Sequence, residues 1–91
     1  MLLNVGFDNA VVAERIVAVV AVNSTPVRRM IDESRKAGTL IDATHGKKIR
    51  SVVVTDSSHC VLSALQAETL TGRLSGAHKQ AERKTEGKTA K

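Results

Sequence analysis

The chain's 91 residues suffice for one domain, with one aromatic residue, Phe7, and one cysteine, Cys60. The core must therefore be aliphatic, and no internal disulfide framework or membrane helix is expected: the longest apolar run, Ile16 to Val22, is seven residues against ~20 for a span. The net charge of +5 is uneven, with eight basic and seven acidic residues up to Thr71 but six and two from Gly72 onward, which makes nucleic acid the first partner to consider.

Leu2 to Val5 reads as a short strand and Gly6-Phe7-Asp8-Asn9 as a turn. Val11 to Val22 is dense in β-branched residues and reads as one long strand, buried on both faces over its second half. Asn23 to Pro26 stops it. Pro26 to Ala37 reads as a helix, capped by Ser24 or Thr25 and closed by Gly38. Val27, Met30, Ile31 and Ser34 share one stripe, while Arg28–Asp32, Arg29–Glu33 and Asp32–Lys36 are spaced as i,i+4 ion pairs.

Leu40 to Thr44 reads as a strand, His45-Gly46 as a tight turn, and Lys47 to Asp56 as the returning strand. Asp56 to Ser58 turns the chain into a strand over His59 to Gln66, followed by a short helix around Glu68 to Leu70. After Gly72 the composition becomes Gly-, Ala-, Lys- and Glu-rich, the pattern of a disordered basic tail. The fold class is α+β, with the order ββαβββ plus a terminal helical turn. The thin core also predicts a homo-oligomer.

Lys47, Lys48 and Arg50 flank a glycine turn, and no acid lies within four residues of them. Such cations suit successive phosphates, or serve a solvated hairpin as edge protection. Spacing alone leaves both open. Arg15, at the edge of a valine-rich strand, reads as an ordinary surface charge. The basic tail suits either a nonspecific electrostatic arm or a solubilising terminus. His59-Cys60 lacks metal-ligand spacing, and Cys60 beside Val61 and Leu62 reads as a small core residue. Asp56, Ser57 and His59 supply the residue types of a hydrolase triad without a nucleophile elbow or an oxyanion loop, so no enzyme and no cofactor is expected.

Together, Asn4 to Phe7, Asn9, Ala13 to Ile16, Ser24 to Pro26 with Arg28-Arg29, Gly38, Leu40, Asp42 to Lys48, Arg50, Thr55 to Ser57, His59, Leu62-Ser63 and Glu68-Thr69 form an ordered set. That set resembles the RemA family of bacterial extracellular-matrix regulators over residues 2–73. The resemblance implies a cytoplasmic, nucleoid-associated regulator that assembles into rings, binds duplex DNA and controls matrix or biofilm genes. It also implies a likeness to LytTR-type DNA-binding folds. Mapped onto this chain, the family's DNA surface falls on Arg15, Lys47, Lys48 and Arg50. The domain would then span 1–74, with a basic tail over 75–91, and its partners would be double-stranded DNA and other copies of itself, with no membrane and no small-molecule substrate. The alternative is a ring-forming scaffold without DNA.

Several positions depart from the usual pattern: Asp8 stands for Gly, Ile49 for Thr, Ala67 for Pro and Val22-Asn23 for Pro-Asp. Lys47-Lys48 stands where Arg-rich versions are common. Lysine offers a point charge in place of a bidentate fork, which favours phosphate over guanine contacts.

Overall fold

A computed structural model of the protein describes residues 1–75. Two short strands, β1 (Leu2–Gly6) and β2 (Asn9–Val12), form an antiparallel hairpin. A single 3-10 turn (Ala13–Arg15) leads into β3 (Ile16–Ala21). Helix α1 (Thr25–Ala37) follows, then β4 (Leu40–Asp42), β5 (Ser51–Thr55) and β6 (Cys60–Ser63). A second helix, α2, occupies residues 67–75. The last four strands form one sheet in the order β3-β5-β6-β4, antiparallel except for the parallel β4–β6 pair.

The sheet is the middle of three layers, because successive strand residues point to opposite faces. Val52, Cys60 and Leu62 face α1 and pack with Ile31, joined by Val20, Val27, Met30, Leu40 and Ile49. Val53, Val61 and Ala43 face the other way, against Leu3 and Val5 of the hairpin and Leu70 of α2. Cys60 is thus a small buried core residue, as its neighbours suggested. The expected stripe of α1 is the one that packs, with Ile31 and Ser34 buried. Gly38 ends the helix in the left-handed conformation, φ 76°, with its N–H and that of Thr39 bonded back to Arg35 and Ser34 carbonyls. Ser24 is the N-cap residue, without a side-chain cap bond.

The structure departs from the sequence expectations in several places. The strand expected over Val11 to Val22 is two strands broken by the 3-10 turn. Its second half is also the outer strand of the sheet, not a doubly buried one: Val17 sits at a bulge between Ile16 and Ala18 and is 66% exposed. The strands on either side of His45-Gly46 are not hairpin partners. The His45-Gly46 turn is present, but β6 lies between β4 and β5, so residues 43–50 run across its end. The terminal helix is also longer than the short one expected around Glu68 to Leu70, running from 67 to 75. The remainder of the expected tail lies outside the described residues.

Gln66 starts α2 by accepting the N–H of Leu70, which makes Ala67 the first helical residue. Proline suits that position, since its missing N–H would have no helical partner there. Ala67→Pro should raise stability by about 0.4–1 kcal/mol through the unfolded chain, read as a higher Tm.

Candidate nucleic-acid interface

The register of the sheet decides which cations can act together. Ser51 pairs with Ser63 and Ala21, so the start of β5, the end of β6 and the end of β3 share one end of the sheet. Residues 43–50 cross that end. There the Asp42 carboxylate accepts the backbone N–H of Thr44 at 2.9 Å and its hydroxyl at 2.6 Å. The Lys47 N–H closes a turn onto the Thr44 carbonyl at 2.9 Å. Within it, His45 (φ 55°) and Gly46 (φ 80°) both adopt positive φ, the type I′ arrangement. Lys47, Lys48 and Arg50 follow, all exposed. The Arg50 N–H bonds the Ser63 carbonyl at 2.8 Å, which anchors the far side of the loop to β6.

A second type I′ turn stands beside the first. Phe7 (φ 52°) and Asp8 (φ 65°) join β1 to β2. The Phe7 ring stacks on His45 with centroids 5.1 Å apart and an interplanar angle of 23°. Left-handed backbone costs a side-chain-bearing residue roughly 1–2 kcal/mol, so both turns hold strain that the surrounding bonds must offset. The Asn4 and Asn9 side chains do part of this, bonding the Gly6 N–H and the Gly6 and Phe7 carbonyls. The Asp8 departure therefore falls at a position where glycine would be unstrained, and it adds an acid beside the basic turn.

Arg15 lies elsewhere. It precedes β3, whose Ile16 pairs with Thr55 at the opposite end of β5. Its Nε–H donates to both Asp56 carboxylate oxygens, at 2.7 and 2.9 Å. The five residues of β5 separate Asp56 from Arg50, so the two lie six steps or roughly 20 Å apart at ~3.3 Å per residue. One subunit thus groups Lys47, Lys48 and Arg50 and leaves Arg15 at the other end. The Arg15–Asp56 pair has no local sequence signal, because 41 positions separate its members.

Asp56, Ser57 and His59 do not form a triad. Ser57 Oγ lies 2.7 Å from His59 Nδ1, but the carboxylate is turned to Arg15. Among the described residues, no group of three or more His, Cys, Asp or Glu could hold a metal, and no helix is long and apolar enough to cross a membrane.

The helix charges also differ from expectation. Of the side chains on α1, Arg35 pairs with Asp32 at 3.0 Å. The three i,i+4 pairs are not formed, and no acid among the described residues lies in salt-bridge range of Arg28 or Arg29. Both stand in the first turns of α1, which begins four residues after β3 ends beside Ser51. They add to the basic end of the molecule. The spacing suggested neutralised pairs and hid them.

The profile of the RemA-like family, extracellular matrix regulatory protein A-like, matches residues 2–74. The chain belongs to that family. Relatives described as "Putative regulatory protein" agree. One from Halothermothrix orenii is 52% identical over 82% of this chain and 89% of its own. Another, from Thermodesulfovibrio yellowstonii, is 57% identical over 81% and 87%. A third, from Desulforudis audaxviator, is 49% identical over 99% and 95%. The names describe regulatory proteins and claim no catalysis. For a RemA-like chain, the structure puts the matched Asp42 to Arg50 segment in one braced loop.

The two bonds from Thr44 hold the Asp42 carboxyl below its ordinary value. A carboxyl depressed in the folded state adds stability above its unfolded pKa of ~3.9, and that stability is lost as pH falls through the lower folded value. Acid titration followed by circular dichroism should therefore show wild type losing more stability below pH ~4 than Asp42→Asn, whose amide oxygen does not titrate there. At neutral pH, Asp42→Ala should cost about 1 kcal/mol, or roughly 4–8 °C in Tm.

Proposed function

We propose that this RemA-like protein is a DNA-binding transcriptional regulator of architectural character. It assembles into homo-oligomeric rings, grips duplex DNA through phosphates and DNA shape, and controls matrix or biofilm genes. The observation that carries this reading is the loop over residues 43–50. It presents Lys47, Lys48 and Arg50 at one end of the sheet, with no acid among the described residues in ion-pair range. Cations fixed on a braced loop suit phosphates, which position a protein on DNA without reading sequence. Arg28 and Arg29 extend the same end.

Arg15 joins this surface when a neighbouring copy presents it, since within one subunit it lies roughly 20 Å away. Its Nε is held by Asp56, which leaves the terminal guanidinium nitrogens for a phosphate. Self-association has its own support. Val17 on β3 and Ile41 on β4 lie exposed on opposite edge strands of the sheet. Val12 and Ile41 also line an open, largely apolar groove of about 320 Å³ that reaches Arg15. Different apolar surfaces on opposite edges suit a head-to-tail contact, and such contacts close into rings. Repeating a weak patch around a ring gives avidity to a domain whose own net charge is small.

Light scattering should return an oligomer at micromolar concentration; a monomer would refute the ring. Lys48→Ala should weaken binding to all duplexes about equally and lower the slope of log affinity against log salt by roughly 0.9 per lost contact. Arg35→Ala, which removes a like charge already paired with Asp32, should change affinity much less. Equal losses at the two positions would mean that total charge governs binding and that the loop is not the site. Oligomers without salt-dependent duplex binding would instead support the scaffold reading.

A further inference from the structure

The chain has one aromatic residue and leaves it outside. The cores on both faces of the sheet are aliphatic, yet Phe7 is 47% exposed at a hairpin tip. Its backbone stands at φ 52°, a conformation that bulky side chains rarely adopt. Its aromatic neighbour among the described residues, His45, is held the same way at φ 55°. The two rings stack, and Lys47 and Lys48 follow His45 by two and three residues. An apolar ring held out from the protein next to cations matches the chemistry of a duplex groove, where charged phosphates border stacked bases. Proteins that enter the minor groove use such apolar side chains to part a base step and kink the helix.

We propose that the Phe7–His45 stack is the apolar wedge of the DNA interface, with Phe7 entering at a deformable base step while Lys47 and Lys48 hold the flanking phosphates. This rests on the DNA-binding reading above and adds to it a mechanism for bending. The hairpin is stiff enough for the task. Asn9 clamps the Gly6 and Phe7 carbonyls at 3.1 and 3.2 Å, and the His45 ring stacks on that of Phe7. Pyrimidine–purine steps such as TA are the easiest to part, so the wedge confers a preference for them without hydrogen bonds to bases.

The test uses the full chain and duplexes with end-attached fluorophores, carrying either a central TA step or an A-tract, titrated over a range of salt. Wild type should bend the TA duplex and bind it more tightly than the A-tract. Phe7→Gly, which also relaxes the left-handed backbone, should bind roughly ten-fold more weakly, lose the bend and the TA preference, and keep the salt slope. Phe7→Ser repeats the measurement with a side chain that retains hairpin backbone restrictions. Phe7→Leu should keep much of the bend, since leucine also serves as a wedge.

Lys48→Ala separates the possible failures. If the Phe7 variants lower the salt slope as much as Lys48→Ala does, the stack only positions the lysines and the wedge is refuted. Unchanged affinity and bend in the Phe7 variants refute it equally. If wild type itself shows no salt-dependent binding, the DNA reading fails and the wedge with it.

Discussion

The basic end of the molecule depends on one buried hydroxyl. Ser63 Oγ donates to the Val5 carbonyl at 2.8 Å and accepts the Leu65 N–H at 3.1 Å. It therefore ties the β1–β2 hairpin to the sheet immediately before the Phe7-Asp8 turn, and it fixes the path of the chain toward α2. Ser51, its partner across β5 and β6, donates to the Leu65 carbonyl at 2.7 Å. Both serines are fully buried in a domain otherwise filled with Val, Leu and Ile. A buried hydroxyl is tolerated there because its bonds are made. Removing one would leave a backbone group unpaired at a cost of about 1–3 kcal/mol. Apolar packing is non-directional, so on its own it would let the hairpin slide over the sheet. The hydroxyls set the register, and the register sets where Phe7 meets His45.

The sequence made much of this visible, and the exceptions share a cause. The borders of α1 were readable from Pro26 and Gly38, and its buried stripe from the spacing of Val27, Ile31 and Ser34. The short strands around Val53 and Val61 were readable from β-branched content. Strand partners were not. Local pattern shows that a segment is extended but not which strand lies beside it, so β6 between β4 and β5 could not be foreseen. The 3-10 turn at Ala13–Arg15 was hidden because Glu14 and Arg15 look the same as an interruption in a strand or as a turn.

The candidate site was legible in the same uneven way. The Lys47, Lys48 and Arg50 group stood out because its members are neighbours in sequence. Arg15 entered by resemblance, and the fold then placed it away from them. Arg28 and Arg29 looked neutralised because acids sit four residues on, but the helix spends Asp32 on Arg35. The Phe7–His45 stack joins residues 38 positions apart, and both need a backbone conformation that side-chain type does not advertise.

The placement of β6 also constrains the order in which the chain folds. β5 and β6 form a tight hairpin through Asp56 to Ser58, closed by Thr55 and His59, and can pair early with little loop-closure cost. β4 precedes both in sequence but has no place to dock until β6 exists, because β6 is its partner. Within the strap over residues 43–50, Ala43 to Lys48 can therefore take their final shape only after the strands they span, whereas the Arg50–Ser63 bond extends the β5–β6 ladder. Changes over Ala43 to Lys48 should then speed unfolding and leave the folding rate almost untouched, a separation that stopped-flow kinetics resolves. The basic loop would thus be free to vary without slowing the assembly of the domain that carries it.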